Sequence, residues 1–118
     1  MGKRSDFKRI PRDFYPTPKA AVVPLLPHLP DPLMYWETCA GDATLVEHLA
    51  NSGRMTNCMA HDIEPQGGGV IRGDSLTLDC PDFVDYIITN PPWDRKILHP
   101  MIEHFSAMRP TWLLFDAD

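Results

Sequence analysis

Four consecutive residues, Asn90-Pro91-Pro92-Trp93, combine an amide that both donates and accepts hydrogen bonds, two prolyl groups with carbonyls but no N–H, and one large π-face. Such a set can grip a planar exocyclic NH2: Asn90 Oδ1 and the Pro91 carbonyl accept from the nitrogen while Trp93 stacks on the ring. Pro92 makes the turn rigid. Taken alone, the four residues read equally well as a proline-rich turn with a packing tryptophan. Upstream, Glu37-Thr38-Cys39-Ala40-Gly41-Asp42 sets a carboxylate and then a glycine just ahead of a helical pattern. A glycine there lets a ligand approach the backbone, and a helix N-terminus favours a negative group. The loop lacks both the G-x-x-x-x-G-K-[ST] and the G-x-G-x-x-G spacing, so it is neither a P-loop nor a dinucleotide fingerprint. Two further acids, Asp62 and Asp74, each end a strand-like run. Asp62 falls about twenty residues after Gly41, where a carboxylate can accept both ribose hydroxyls of a nucleoside. Glu64 lies close by but precedes a proline in the turn. Both acids read alternatively as solubilising loop residues.

These residues need a scaffold, and the patterning supplies one. Leu33 to Thr38, Asn57 to Ile63, Val70-Ile71, Tyr86 to Thr89 and Thr111 to Phe115 are short β-branched or aromatic runs that predict five strands. Helices are predicted at Lys19 to Leu26, with Thr17 as N-cap and Pro18 at the first position; at Ala43 to Asn51; and at Asp94 to Met108. Thr44 and Glu47 form a capping-box pattern, and Ala43, Val46, Leu49 and Ala50 make the expected apolar stripe of the second helix. Ile97, Leu98, Met101, Ile102 and Phe105 make that of the third. Gly67-Gly68-Gly69 reads as a flexible loop. Strands alternating with helical segments imply βαβ units, hence an α/β fold with a mostly parallel sheet. Candidate residues then fall at the carboxyl ends of strands, where open α/β sheets place ligands.

The chain has 118 residues, so one domain over residues 13–118 is expected, preceded by a basic arm over residues 1–12. Lys3, Arg4, Lys8, Arg9 and Arg12 against Asp6 give the arm a net charge of +4, whereas the remainder carries −9. A protein that holds DNA by its phosphates needs a basic face, and the arm is the segment that supplies one. The alternative is a solvated start. No apolar run approaches the roughly 18 residues of a membrane helix, and no signal-peptide pattern precedes the first element, which reads as cytoplasmic. Cys39, Cys58 and Cys80 are an odd, scattered set and no disulfide framework. Cys58-x-x-His61 lacks the second pair that a metal site would need, and no metal is expected.

The Asn90-Pro91-Pro92-Trp93 segment resembles the Asn/Asp-Pro-Pro-aromatic motif of the amino-methyltransferases, above all the DNA adenine-N6 enzymes. Glu37-x-x-Ala40-Gly41-Asp42 resembles motif I of the class I S-adenosylmethionine-dependent methyltransferases, in the form common in phage and bacterial adenine-N6 enzymes. Asp13-Phe14-Tyr15-Pro16-Thr17-Pro18 is similar to their N-terminal motif X. Together these segments run from Asp13 to Trp93, about two-thirds of the chain. The resemblance implies a Rossmann-like sheet and S-adenosylmethionine as cofactor. It assigns Glu37 to the methionine ammonium, and Cys39, Ala40 and Gly41 to close cofactor contact. It assigns Asp62 with Ile63 to the ribose region, Asp74 with Ser75 to the adenine amino group, and Tyr15 and Thr17 to the methionine end. Asn90, Pro91, Pro92 and Trp93 would hold the target amine, adenine N6 in DNA, with Asn90 also bordering the cofactor. Protein-glutamine and ribosomal-RNA methyltransferases share the motif, usually with Tyr in the last place, and a truncated, inactive cofactor-binding module is the third reading. The family's sheet has seven strands, with an antiparallel hairpin after the fifth. The sequence here reaches the tip of the fifth, so about five strands without the hairpin are expected, and no DNA-reading module. An apolar fifth-strand edge would then invite cover by a second copy or a partner subunit.

Overall fold

A computed structural model describes residues 16–115. The basic arm, Tyr15 with the start of its Tyr-Pro-Thr-Pro segment, and Asp116 to Asp118 lie outside the described residues. The described chain is an α/β structure built on a five-stranded sheet in the order β3-β2-β1-β4-β5. Its strands are β1 (Leu33–Glu37), β2 (Thr56–Asp62), β3 (Ile71–Arg72), β4 (Tyr86–Thr89) and β5 (Thr111–Leu113). Every pairing is parallel, so the sheet is uniformly rather than mostly parallel. The helices are α1 (Lys19–Val22), α2 (Thr44–Ala50) and α3 (Arg95–Met108), with a 3-10 helix at Val23–His28 following α1.

Parallel strands joined by crossovers are covered on both faces, so their residues are buried without alternation. β1 shows this directly: Leu33, Tyr35, Trp36 and Glu37 are all buried. On one face Leu33, Tyr35 and Ile88 pack with Val22 of α1 and with Leu45 and Leu49 of α2. On the other, Trp36 and Ile87 pack with Val84 and with Met101 and Phe105 of α3. The result is three layers, helix–sheet–helix. β1 and β4 are neighbours, while the chain after β1 runs outward through β2 and β3 before returning. The strand order reverses between β1 and β4, the place where open α/β sheets bind their ligands.

Several local expectations fail for identifiable reasons. The first helix stops being α-helical at Val22 and continues as the 3-10 helix. Pro24 cannot donate to an i−4 carbonyl, and Pro27 lies further along the same segment. Thr17 is not the N-cap: Pro18 occupies that place, with no side-chain cap. The capping box of α2 does not form either, because Ala43 precedes the helix in the left-handed region at φ 70° and caps nothing. Asp42 Oδ1 takes over by accepting from Thr44 N at 3.0 Å. The buried stripe is therefore Leu45 and Leu49, with Val46 at its margin and Ala50 exposed. Ile102 of α3 likewise faces outward, 37 % exposed. β2 and β3 are each offset by one residue from expectation, β1 ends one residue early, and β5 closes at Leu113. Among the described residues no helix is long and apolar enough to cross a membrane.

One polar contact reaches into the core. Trp36, fully buried, donates from Nε1 to His61 Nδ1 at 3.0 Å, with the rings edge-to-face. That bond requires His61 to be neutral with its proton on Nε2, and burial lowers the His61 pKa below its ordinary 6.5. The unfolded chain then binds more protons than the folded one as pH drops through 6.5, so this histidine costs stability on acidification and nothing above its unfolded pKa. We expect the fall in urea midpoint between about pH 7.5 and 5.5 to shrink in His61→Gln, whose side-chain carbonyl can still accept from Trp36. An undiminished pH dependence in that variant would show that the coupling lies elsewhere.

Candidate functional site

The carboxyl ends of β1, β2, β3 and β4 gather most of the residues singled out in the sequence. Glu37 closes β1 and is 1 % exposed. Its Oε1 accepts from the backbone N–H of Cys39 at 2.9 Å. Burial raises its pKa to about 8, with the nearby Asp62 charge adding to the rise. The Thr89 hydroxyl pulls the other way, yet Thr89 Oγ1 is buried without a hydrogen bond of normal geometry. At the switch point between β1 and β4 there is thus a desolvated carboxyl beside a buried hydroxyl. Such a pair can receive a cationic, multiply donating group. Cys39 itself is a poor nucleophile, because burial and the neighbouring Glu37 push its thiol up to about 12. Its Sγ lies 3.8 Å from Met101 Sδ.

The loop after β1 is tied to β2 residue by residue. Ala40 N donates to the His61 carbonyl at 2.8 Å, and Gly41 N donates to Asp62 Oδ2 at 2.9 Å. Gly41 has φ 58°, the left-handed region that glycine enters without a Cβ penalty. Ala43 adopts the same region at φ 70° with a Cβ, a conformation that costs about 1–2 kcal/mol and that surrounding bonds must enforce. Asp62 Oδ1 accepts from Glu64 N at 2.8 Å. Both Asp62 oxygens are therefore committed to backbone, but a carboxylate has about four acceptor sites and can still take hydroxyl donors. Ile63, beside it, is 44 % exposed. At the end of β3, Asp74 Oδ1 accepts from Leu76 N at 3.0 Å, and Ser75 is buried.

On the other side of the switch point, β4 runs into Asn90, half-buried, followed by buried Pro91 and by half-buried Pro92 and Trp93. A ring meant to stack on an incoming partner must keep part of its surface accessible, and Trp93 does. Asn90 Nδ2 donates to Thr17 Oγ1 at 3.2 Å. Thr17 is itself 5 % exposed, and its carbonyl accepts from His48 Nε2 of α2 at 2.9 Å. Glu37, Cys39, Ala40, Gly41, Asp62 and Asn90 thus gather at the carboxyl ends of β1, β2 and β4. Asp74 and Ser75 stand one strand further out, and Tyr15 lies outside the described residues. A separate apolar groove of about 360 Å3 between the 3-10 helix and β5, lined by residues such as Leu25, His28, Trp112 and Phe115, shares no residue with this set.

Sequence reading missed the part played by Gln66 and Gly67. Gln66 N donates to the Gly41 carbonyl at 2.8 Å, folding the glycine-rich segment onto the loop after β1. A Cβ on Gly67 would stand 2.9 Å from the Asp42 carbonyl oxygen, whereas one on Gly68 would meet nothing within 4 Å. The run of three glycines was the available signal, but nothing local distinguishes the one that is packed. Comparison of the chain with protein-family models, with curated proteins and with solved structures gives no match.

Gly67→Ala should destabilise the protein by about 1–3 kcal/mol, the usual range for an added carbon in a filled space. Gly68→Ala should be within about 0.5 kcal/mol of the wild type. Chemical unfolding of the two variants side by side checks both; equal stabilities would mean that the loop does not seat on Asp42.

Proposed function

We propose that the protein is an S-adenosylmethionine-dependent methyltransferase acting on an exocyclic amine, with adenine N6 in DNA the foremost acceptor. The observation that carries this reading is the meeting of Glu37 and Asn90 at the ends of adjacent parallel strands, where the strand order reverses. One strand end offers a buried carboxyl with a neighbouring hydroxyl, and the other offers an amide, a prolyl carbonyl and an aromatic face. The first set fits an amino-acid ammonium, and Gly41 with Asp62 fits the close approach of a nucleoside. When bound, the cofactor would supply an electrophilic sulfonium methyl.

The chain's own residues then do the positioning. Asn90 Oδ1 and the Pro91 carbonyl accept from the two N–H groups of the acceptor amine, which aims the nitrogen lone pair away from them. Trp93 stacks on the ring and compensates a base for leaving its helical stack. Pro91 and Pro92 hold these acceptors in one geometry, so the contribution is orientation and partial-charge stabilisation rather than proton transfer. The basic arm, Met1 to Arg12, is the segment suited to DNA phosphates, because the remainder of the chain carries net charge −9.

Binding should be coupled to protons. With Glu37 held near pKa 8 in the free protein, a cation docking against it must expel a proton at neutral pH. Affinity for S-adenosylmethionine should therefore strengthen as pH rises from about 6 to 8. Calorimetry in buffers of different ionisation enthalpy should register the released proton, and Glu37→Gln should lose both effects. A folded wild-type protein that binds no S-adenosylmethionine removes the reading altogether.

Transfer should depend on the other strand end. Asn90→Ala and Trp93→Ala should each lower the rate of labelled methyl transfer by at least about a hundredfold. Cofactor affinity should be nearly unchanged in Trp93→Ala, whose side chain serves the acceptor alone. The assay is run with DNA, RNA and protein acceptors. Full activity in Trp93→Ala would make Trp93 a packing residue and end the stacked-base model.

A further inference from the structure

We propose that Lys19, Arg95 and Lys96 hold backbone phosphates of the DNA strand that carries the acceptor base. The body of the protein thereby shares with the arm the task of gripping DNA. The inference rests on the reading of Asn90 to Trp93 as the acceptor end. Residues 16–115 carry six basic side chains against twelve acidic ones, so an uncommitted cation there is scarce. Arg54 donates to the Leu26 carbonyl, Arg72 to that of Ile63 at 3.0 Å, and Arg109 to those of Val84 and Met108, each at 2.7 Å. Those three guanidiniums are fastened to the fold. Lys19, Arg95 and Lys96 are exposed, and among the described residues their side chains form no hydrogen bond or ion pair.

All three stand beside one loop. Arg95 and Lys96 follow Trp93 with a single residue, Asp94, between. That acid is itself engaged, accepting from the Lys96 N–H at 3.0 Å as the cap of α3. Lys19 arrives from the far end of the chain: it lies two residues after Thr17, whose hydroxyl accepts from Asn90 Nδ2 at 3.2 Å. Folding does not explain the pair on α3. Positive charge in the first turn of a helix opposes the macrodipole, yet this turn begins with two cations and contains no acid. A base drawn out of its stack turns about its own backbone, which carries the phosphates on either side of it to the mouth of the site. Long, uncommitted Lys and Arg side chains flanking the loop suit those phosphates, and such contacts fix register without reading sequence. A protein acceptor brings no regular row of anions beside its amide.

The test uses the full chain and fluorescent DNA duplexes of differing sequence. The slope of log Kd against log salt reports how many phosphates the protein neutralises. Arg95→Gln combined with Lys96→Gln should flatten that slope by about 2, and Lys19→Gln by about 1. At fixed salt the double variant should bind every duplex at least about tenfold more weakly. Arg72→Gln removes one charge from a guanidinium committed to the fold and should leave the slope unchanged. The three side chains are exposed, so their variants should keep the circular dichroism spectrum of the wild type. A second measurement needs no variant: bound duplex should shield the Lys19 and Lys96 amines from acetylation, read by peptide mass spectrometry. Equal flattening by Arg72→Gln and Lys19→Gln would mean that net charge alone acts, and would overturn the inference. So would unshielded Lys19 and Lys96 on a bound duplex, or a wild type that methylates protein and binds no DNA. The expected slopes in a protein that binds no S-adenosylmethionine would instead sink the methyltransferase reading and leave the phosphate grip standing.

Discussion

A strand that ends inside a parallel sheet must hand its backbone to a sharp turn, and the N–H groups of that turn cannot be left dry and unpaired. This chain meets the constraint with carboxylates. Glu37 accepts from the N–H of Cys39, Asp62 from Glu64, and Asp74 from Leu76, each two residues further on. Asp42 and Asp94 do the same ahead of α2 and α3, accepting from Thr44 and Lys96. The spacing repeats because a short acidic side chain reaches the second N–H after it without distorting the turn. Asp62 adds a longer-range bond, from Gly41 N, that binds the loop after β1 to the end of β2. Without these acceptors the loops at the carboxyl edge would lose the bonds that fix their course.

The same acids also carry the electrostatics of the carboxyl edge. Asp62 is partly open to water, whereas Glu37 is 1 % exposed and held near pKa 8 by burial. Asp62 fixes the loop through its two backbone bonds, and Glu37 is a mostly protonated group at neutral pH that ionises when a cation compensates it. The desolvation that raises Glu37 comes from the two-sided cover of β1, so the architecture of the sheet and the titration of its last residue are one fact. On the opposite strand end the amide of Asn90 has a neutral partner, donating from Nδ2 to the Thr17 hydroxyl.

The architecture was legible because its signals are local. Tyr86 to Thr89 is a strand with the expected limits, since β-branched and aromatic residues run straight into two prolines that cannot join a ladder. Asp94 caps α3 and Pro110 follows its end, so that helix also stands where its signals put it. Where the reading slipped, two local signals competed. Pro24 and Pro27 fall in a stretch whose apolar pattern suggests an α-helix, and the backbone resolves the conflict as a 3-10 helix. Thr44 and Glu47 look like a capping box, but Asp42 is a better acceptor for Thr44 N, and Ala43 is driven into the left-handed region instead.

By itself the sequence determined the α/β class, the order of strands and helices, and the set of acids, glycines and prolines that stand at strand ends, because periodicity and turn chemistry act within a few residues. Tertiary structure decided which of these residues come together at the carboxyl edge and what each one touches. The placement of β1 between β2 and β4 brings Glu37 next to the strand that ends at Asn90, residues far apart in the chain. That Thr17 serves Asn90 rather than a helix start, that Gly67 rather than Gly68 seats on Asp42, and that Trp36 donates to His61 all depend on contacts between separate segments. Such contacts leave no local imprint, since a hydroxyl, a glycine or an imidazole has the same intrinsic preferences whatever the fold later sets beside it.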